Sequence, residues 1–369
     1  MVLPSSDDYK HILLSGSALL DVRAPVEFAQ GAFPSAVNLP LLDDYEREKI
    51  GIAYKEYGQQ AAINLGHEMV SGAVKSQRVA AWQRFVEANS HGYLYCFRGG
   101  LRSKISQQWL ADAGMIYPRI NGGYKAMRRF LLDELAAAVD AVPLIVLGGR
   151  TGSAKTRFLR TVATSIDLEA LANHRGSAFG RALTPQPTPI NFENALSIEL
   201  LKLRTQQASW ILLEDEGSNI GSLSLPRLLV YAMASAPLLI LETTLAARVQ
   251  HILQEYIIDK WADYQHCYGV AEGFRQFSAY LLDSLARIQK RLGTLRYRQL
   301  QIIMQAALTA QQHNSGAIEG HRDWIEALLR EYYDPMYDYQ LTHKQQRVIF
   351  QGDSAALREW LASAVPVTV

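Results

Sequence analysis

The chain has 369 residues, 37 basic and 36 acidic side chains, and a formal net charge of +1. Its 49% apolar and 20% charged residues are ordinary for a globular protein, which excludes collagen, long disorder and a disulfide scaffold. No run approaches the roughly 18 apolar residues that span a bilayer, so no membrane contact is expected, and the polar, acidic N-terminus is not a signal peptide. Only two cysteines, Cys96 and Cys267, are present. They favour a reducing, cytoplasmic setting, with Cys267 expected to be a small buried residue.

The first part of the chain alternates short apolar runs with helical patterns. An apolar run ends at Asp21 and is followed by a helical turn and a loop rich in glycine and proline. A second strand is predicted at 93–96, and helices are predicted at about 103–113 and 124–139. Apolar residues of the last helix recur on one face, as in a helix packed against a core.

The remainder begins with apolar strands and ends in long helices. Strands are predicted at 144–147, 210–213 and 238–241, because each is a short apolar run. From 271 onward apolar residues recur every three or four positions with an interruption at Gly293, which predicts a helical hairpin or a broken long helix.

Strands that alternate with helices favour parallel sheets covered on both faces, so the predicted fold class is α/β. One strand–loop–helix pattern precedes positions 130–142 and another follows them. This places a domain boundary at 130–142. At about 100–200 residues per domain, we predict an α/β domain over 1–135, a second α/β domain over 136–270 and a helical region over 271–369.

One cysteine lies in a loop of glycine and arginine between a predicted strand and a predicted helix. Backbone amides of such a turn and the positive end of the helix dipole favour an anion at Cys96. The flanking Arg98 and Arg102 add full charges, and Gly99 and Gly100 let the backbone approach closely. The pattern therefore predicts a reactive thiolate with a pocket for an anion. A buried structural cysteine beside a phosphate-type loop is the alternative.

A second loop resembles the Walker A phosphate loop. That pattern is Gly, four residues, then Gly-Lys-Ser/Thr, and here Ala154 stands where the second Gly belongs. Backbone amides surround a di- or triphosphate, with Lys155 on the terminal phosphate and Thr156 on Mg²⁺. Alanine supplies the amide, but a positive φ would cost it about 1 kcal/mol or more, so phosphate binding is favoured over rapid nucleotide hydrolysis. The candidate diphosphate-binding residues are Gly149, Thr151, Gly152, Ser153, Ala154, Lys155 and Thr156.

Two further segments belong with a phosphate site. The apolar strand at 210–213 delivers carboxylates at 214–216 to the edge of the sheet, where a metal or a base would be useful, although a plain surface is the alternative. Residues 173–191 contain two glycines and three prolines, which excludes a regular element and is typical of a lid or binding loop. The side chains that could close over a phosphate are His174, Arg175, Ser177 and Arg181.

Basic residues are concentrated in two segments. Residues 98–129 hold seven basic side chains against one acidic, and 271–298 hold six against two. Such local excess suits the phosphate backbone of RNA, with a solvated helix face as the alternative. The candidate RNA-binding residues are Lys125, Arg128, Arg129, Arg287, Lys290 and Arg291.

The segments 21–27 and 31–40, taken with the cysteine loop, resemble the rhodanese family over about residues 10–130. The two motifs agree with that family in order and spacing. The resemblance implies a doubly wound α/β domain whose cysteine carries sulfur or selenium. It also implies that Asp21 and Arg23 are structural.

Five segments in order resemble the tRNA 2-selenouridine synthase family over nearly the whole chain: 96–103, 121–125, 148–152, 173–177 and 191–194. The resemblance implies a rhodanese-like domain, a P-loop NTPase-like domain and a helical tail. It further implies replacement of the 2-thio sulfur of wobble 2-thiouridine in certain tRNAs by selenium from selenophosphate. The implied route passes through S-geranyl-2-thiouridine made from geranyl diphosphate.

Carried onto this chain, the resemblance implies that Cys96 is the catalytic residue for selenium transfer. Arg98, Arg102 and the loop amides at Gly99 and Gly100 would hold selenophosphate or stabilise the leaving anion. The loop at 149–156 would hold the diphosphate of the geranyl donor. Selenophosphate and geranyl diphosphate are the expected co-substrates, tRNA is the expected partner and selenophosphate synthetase a candidate partner. The need for Mg²⁺ stays open, and no resident metal is expected.

Two other functions fit the same loops. A rhodanese-type sulfurtransferase fused to a small-molecule kinase would turn over thiosulfate and consume ATP without tRNA, and a redox-sensing module would use oxidation of Cys96 as its signal. The stretch 65–72, which includes His67, is a candidate wall of the substrate pocket or else solvent-facing filler. The selenium-transfer hypothesis requires that substrate can reach the thiol of Cys96.

Overall fold

The computed structural model describes residues 2–314 and 316–363. Its strands are β1 (Ser5–Ser6), β2 (Leu19–Asp21), β3 (Ala36–Asn38), β4 (Tyr93–Tyr95), β5 (Arg119–Ile120), β6 (Leu144–Gly148), β7 (Ser165–Ile166), β8 (Ile211–Glu214), β9 (Asn219–Ile220), β10 (Leu223–Ser224), β11 (Leu238–Leu241) and β12 (Val348–Gly352).

Its α-helices are α1 (Tyr9–Leu14), α2 (Pro25–Gln30), α3 (Asp44–Met69), α4 (Gly72–Ala88), α5 (Leu101–Asp112), α6 (Gly123–Ala141), α7 (Lys155–Leu159), α8 (Leu168–Leu171), α9 (Pro189–Thr205), α10 (Arg227–Ser235), α11 (Leu245–Ile252), α12 (Asp259–Tyr268), α13 (Val270–Arg287), α14 (Gln289–Leu292), α15 (Thr294–His313), α16 (His321–Leu328), α17 (Asp334–Thr342) and α18 (Ser354–Ser363). Two π-helical segments, Leu253–Ile258 and Leu329–Tyr333, and a 3₁₀ turn, Gln345–Arg347, complete the helical structure of the described residues.

The chain folds into two compact units. The first comprises Met1–Ala138 with Pro187–Gln206, and the second comprises Val139–Gln186 with Gln207–Val369. This grouping differs from the predicted division at 135 and 270 in two respects. Helix α9 joins the first unit, and the C-terminal helices share one unit with the phosphate loop.

The first unit is built on a parallel five-stranded sheet in the order β1-β5-β4-β2-β3. All three residues of β2 are buried, as expected for a strand covered on both faces. In the register of the sheet, Leu20 lies between Val37 of β3 and Leu94 of β4. The α/β class predicted for this part of the chain is confirmed.

Helix α9 is fastened to the first unit by two asparagines. Asn191 Oδ1 accepts a hydrogen bond from the amide of Ala32 at 2.6 Å, and Asn194 Nδ2 donates to the carbonyl of Ala32 at 2.8 Å. A Cβ on the neighbouring Gly31 would lie only 2.4 Å from Ile190, so this close approach requires glycine. The helix begins with Pro189 in its first turn, which shows that the last residues of the predicted 173–191 loop are helical.

The second unit contains another parallel sheet, in the order β12-β11-β6-β8-β7, and an antiparallel pair of β9 and β10. Every residue of β6, β8 and β11 is buried. The strands and helices predicted for both units occur with ends that differ by at most two residues.

The C-terminal helices pack around an apolar core of their own. Phe277, Leu281 and Leu285 of α13 are fully buried and share a cluster with Met304 of α15. Gly293, at φ +80°, separates α14 from α15, which confirms the predicted break.

Cys267 lies on α12 and is exposed, so the expectation of a buried residue is wrong. The residues around Cys267 show no hydrophobic periodicity that would indicate whether its side chain faces the core or the solvent. Within residues 2–314 and 316–363, no helix is long and apolar enough to cross a bilayer.

Candidate functional site

The cysteine loop of the first unit connects β4 to α5. Cys96 follows the last residue of β4 and is 3% exposed. Its Sγ donates to Ser103 Oγ at 3.2 Å, and that hydroxyl donates to the carbonyl of Gly100 at 3.0 Å. The sulfur therefore lies beside the first turn of α5, whose amide groups lack partners within the helix and favour negative charge. The burial means that substrate access to the thiol stays a prediction.

A second segment, 121–125, packs its backbone onto this loop. The amide of Tyr124 donates to the carbonyl of Cys96 at 2.9 Å. Gly99 and Gly123 have φ values of +62° and +61°, and each backbone approaches the other. A Cβ on Gly123 would lie 2.2 Å from the Cys96 carbonyl oxygen, and one on Gly99 would lie 2.7 Å from the amide nitrogen of Gly122. These glycines thus set the conformation of the cysteine loop.

The two arginines predicted to hold an anion lie in different surroundings. Arg98 is exposed. Arg102 is half-buried and its Nη2 donates to Glu27 Oε1 at 3.0 Å, while Arg47 Nε lies 3.3 Å from Glu27 Oε2. Burial alone would raise the pKa of Glu27, but its hydrogen bond and charge pair with Arg102 lower it. The charge of Arg102 is therefore partly neutralised by Glu27. Arg98 has no comparable buried carboxylate partner among the described residues.

Asp21 and Arg23 form a buried ion pair behind the loop. Arg23 is 1% exposed, and its Nη2 lies 2.6 Å from Asp21 Oδ2. The same nitrogen donates to the carbonyl of Gly31 at 2.8 Å, and the guanidinium carbon lies 3.9 Å from the ring centre of Tyr124. This geometry agrees with the structural role implied by the rhodanese resemblance.

The phosphate loop of the second unit lies between β6 and α7. Ala154 adopts the left-handed conformation at φ +64° and ψ +34°, so the missing glycine is replaced without loss of the backbone shape. Gly152 has φ +80°. Lys155 Nζ donates to the carbonyl of Gly149 at 2.7 Å. Ser153 is buried, and its hydroxyl has no hydrogen-bond partner among the described residues, which fits a loop shaped for an anion.

Carboxylates at the end of β8 face this loop. Thr156 Oγ1 lies 2.9 Å from Glu214 Oε1 and 3.2 Å from Glu169 Oε2. Burial, followed by the charge of Glu169, raises the pKa of Glu214 to about 8 and that of Glu216 to about 7. In the described part of the chain, no group of three or more His, Cys, Asp or Glu side chains has the arrangement of a metal site.

The predicted 214–216 segment thus divides by role. Glu214 and Glu216 lie with Glu169 in a cluster of carboxylates beside the phosphate loop. Asp215 instead accepts from Lys344 Nζ at 2.7 Å and 2.8 Å, so it ties the strand end to the segment before β12.

The phosphate loop is supported by side chains that the sequence did not identify. Arg248 is 2% exposed, pairs with Asp334 at 2.7 Å and donates to the carbonyl of Thr151 at 3.2 Å. His251 Nδ1 lies 3.0 Å from the carbonyl of Gly152. These partners are distant in the chain and match no motif, so no local signal could have found them.

A cluster of positive charge lies around His174. The strand-like bridge between His174 and Arg181 closes the 173–191 loop on itself. Burial and then the charges of Arg287, Lys260 and Arg181 lower the pKa of His174. A cavity of about 470 Å³ is lined by His174, Ser177, Arg181 and Arg287 among others. The sequence places Arg287 among the RNA-binding candidates, and the structure brings it to the same cavity as the predicted phosphate-closing residues.

The other candidate RNA-binding residues differ in exposure. Arg128 is half-buried, pairs with Glu193 and donates to Asn194 Oδ1 at 2.7 Å, so it contributes to the attachment of α9. Arg129 pairs with Asp133 on the surface. Three remain as exposed cations: Lys125, Lys290 and Arg291. Arg175, a candidate to close over a phosphate, pairs with Glu255.

The geometry defines a two-unit α/β protein in which one unit carries a cysteine loop and the other carries a phosphate loop. The family model described as the tRNA 2-selenouridine synthase AAA domain matches residues 142–366. Three relatives named tRNA 2-selenouridine synthase extend the similarity to nearly the whole chain. The protein from Marinobacter nauticus is 51% identical over 98% of each chain, and that from Pseudomonas aeruginosa LESB58 is 52% identical over 97% of each. The Hahella chejuensis protein is 50% identical over 98% of this chain and 96% of its own. The chain belongs to the tRNA 2-selenouridine synthase family.

Proposed function

We propose that this protein replaces the 2-thio sulfur of wobble 2-thiouridine in tRNA with selenium from selenophosphate, through an S-geranyl-2-thiouridine intermediate. The observation that carries the proposal is the similarity over 97–98% of the chain to relatives with the name tRNA 2-selenouridine synthase. The two loops supply a physical reason for two steps, since one suits a diphosphate and the other a selenium nucleophile.

The phosphate loop is the proposed site of geranyl transfer. Its amides and Lys155 would bind the diphosphate of geranyl diphosphate and stabilise it as the leaving group. The buried hydroxyl of Ser153, which has no hydrogen-bond partner within residues 2–314 and 316–363, and the left-handed Ala154 support this role. If Mg²⁺ accompanies the diphosphate, Thr156 and Glu214 have the oxygen donors that it prefers, and it would neutralise the charge of the leaving group.

The cysteine loop is the proposed site of selenation. An S-geranyl group turns the thiocarbonyl sulfur into a thioether sulfur, which leaves more readily as geranylthiolate. A selenium nucleophile held on or guided by the loop then attacks the 2-position of the base. We assign this step to Cys96, with Arg98 and the first amides of α5 stabilising the anion. Since Cys96 is 3% exposed, the assignment requires the loop to open when substrate binds.

Contacts to tRNA are proposed for the exposed Lys125, Lys290 and Arg291 and for the cluster of Arg181, Lys260 and Arg287. A nearly neutral chain must bind a polyanion through such local patches. We further propose that the protein acts in the reducing cytoplasm. Selenophosphate synthetase would supply the selenium donor.

The test is mass analysis of tRNA nucleosides. The purified protein is incubated with tRNA that carries wobble 2-thiouridine, in the presence of selenophosphate, with and without geranyl diphosphate. We expect S-geranyl-2-thiouridine with geranyl diphosphate alone and 2-selenouridine when both are present. Unmodified tRNA together with turnover of thiosulfate or ATP would instead favour the sulfurtransferase–kinase alternative.

A further inference from the structure

The first unit contains a cavity of about 500 Å³ that the steps above leave without an occupant. It is formed by α3 with Val70 after it, the first three turns of α5, the segment before α3 and Glu27 of α2. Binding sites for small molecules have volumes of about 300–1,000 Å³, so this space is of ligand size.

The wall of the cavity is mostly apolar. Its large apolar side chains include Leu41, Ile50, Ile63, Val70, Ile105 and Trp109. The cavity is open to solvent on one side, so this apolar wall is exposed to water in the unbound protein. A contiguous apolar surface of this kind is typical of a binding site for an apolar group.

One end of the cavity is shared with the cysteine loop. Leu101 and Arg102 belong to both, because they form the first turn of α5 and also line the cavity. Lys55 is an exposed cation at its margin, where Arg47 and Arg102 share the carboxylate of Glu27. An apolar chain inside the cavity would therefore have its polar end beside positive charge and close to the proposed selenation loop.

The stretch 65–72, for which the sequence leaves open a pocket wall or filler, contributes to the same cavity. Gly66, His67 and Val70 line it, and Val70 is 2% exposed. Residues up to Met69 are the last turn of α3, so this part of the wall is held by a regular helix.

We propose that this cavity binds the geranyl chain of S-geranyl-2-thiouridine during selenation, an inference that rests on the proposed function. Among the substrates of that function, only the geranyl group is apolar, whereas selenophosphate, uridine and the tRNA backbone are polar. The geranyl group would be transferred to the sulfur at the phosphate loop of the second unit. It would then be bound in this cavity during the step that removes it from the base.

In the proposed selenation step, the cavity holds the leaving group. Selenium of selenophosphate, held beside Cys96 in the cysteine loop, attacks C2 of the base, the C2–Se bond forms and the C2–S bond breaks. Geranylthiolate departs with the electron pair of that bond and takes up a proton from water. Water then cleaves the P–Se bond, which releases phosphate and 2-selenouridine. No atom requires an external oxidant or reductant, and the apolar thiol remains in an apolar space rather than in water.

Direct binding is tested with geranylthiol as the probe, by calorimetry on the full-length protein. Ile63→Trp fills part of the cavity, and Ile52→Trp is its matched control, because Ile52 lies on the same helix, is 43% exposed and does not line the cavity. Excluding two methylene groups of the probe from the apolar wall weakens binding by about tenfold or more, at roughly fourfold per methylene. We expect this weakening in Ile63→Trp and wild-type affinity in Ile52→Trp. Ala62→Leu, at a smaller buried position of the wall, replaces Ile63→Trp if the larger side chain prevents folding.

A kinetic measurement adds the substrate itself. tRNA that carries S-geranyl- or S-methyl-2-thiouridine is selenated with selenophosphate. Ile63→Trp should raise KM for the S-geranyl substrate by about tenfold or more and leave KM for the S-methyl substrate unchanged. Geranylthiol that fails to bind wild type, or binds Ile63→Trp equally well, overturns the inference. Binding at the cavity without selenation of either tRNA would instead contradict the proposed function while the cavity assignment stands.

Discussion

Gly123 is the position at which one added methyl group tests how the cysteine loop is held. Its φ is +61°, and a Cβ would lie 2.2 Å from the Cys96 carbonyl oxygen and 2.4 Å from the Gly99 nitrogen. Left-handed backbone costs alanine about 1–2 kcal/mol. The overlap involves backbone atoms that cannot rotate away, and it adds about 1–3 kcal/mol. We therefore expect Gly123→Ala to lower the free energy of unfolding by about 2–5 kcal/mol and to displace the loop that carries Cys96.

Gly114→Ala is the matched control for this prediction. Gly114 has φ +85°, but an added Cβ there meets no atom within 4 Å, so the control contains the backbone strain without the overlap. Urea unfolding of both variants gives the difference, which we expect to be about 1–3 kcal/mol. Selenation of S-geranyl-tRNA should fall in Gly123→Ala only. Equal unfolding midpoints and wild-type selenation in both variants would refute the role assigned to the 121–125 segment.

Three further changes test the phosphate loop and the charged surface. Lys155→Ala should weaken binding of geranyl diphosphate by about tenfold to a hundredfold, since a charge-assisted hydrogen bond is worth about 1.5–3 kcal/mol; unchanged affinity in calorimetry would assign the diphosphate to other residues. Burial raises the pKa of Glu214 to about 8 from an ordinary value of 4.5, so the folded protein holds a proton that the unfolded chain has released between these values. The stability of wild type should therefore fall as pH rises through this window, and Glu214→Gln should fall less; parallel curves of Tm against pH would show that Glu214 is already ionised. Lys290→Glu combined with Arg291→Glu should weaken tRNA binding at moderate salt and reduce the slope of log affinity against log salt by about 0.7–0.9 for each phosphate that the pair neutralises in the wild type. Equal affinity and slope in filter binding would show that these two side chains do not touch tRNA.

Features that depend on local sequence could be predicted. The strands β6 and β11 are short runs of buried apolar residues, and the helices α5 and α6 begin beside glycines, so their limits follow from pattern alone. Both candidate loops can be recognised because each is continuous in the chain. The left-handed conformation expected to strain Ala154 is the one that it adopts.

Features that depend on distant partners could not be predicted. Arg248 and Asp334 are 86 residues apart, and Lys344 and Asp215 are 129 apart, yet both pairs support the phosphate loop or its strand. Arg128 and Arg129 carry the same charge, but only the fold shows that Arg128 serves the attachment of α9. Composition and spacing record the charge of a side chain and not the partner that it finds.

The same limit applies to Cys96. Its glycine–arginine surroundings predict a thiolate, whereas its 3% exposure depends on how the 121–125 segment and α5 close over the loop. Reactivity of this thiol is thus a matter of access as well as charge.

The most direct test of the account is nucleoside mass analysis with Cys96→Ser on tRNA that already carries S-geranyl-2-thiouridine, with selenophosphate supplied. We expect the S-geranyl nucleoside to persist and 2-selenouridine to be absent, while the variant unfolds at the wild-type temperature and still geranylates 2-thiouridine. Formation of 2-selenouridine by Cys96→Ser at the wild-type rate would contradict the assignment of selenium transfer to this sulfur.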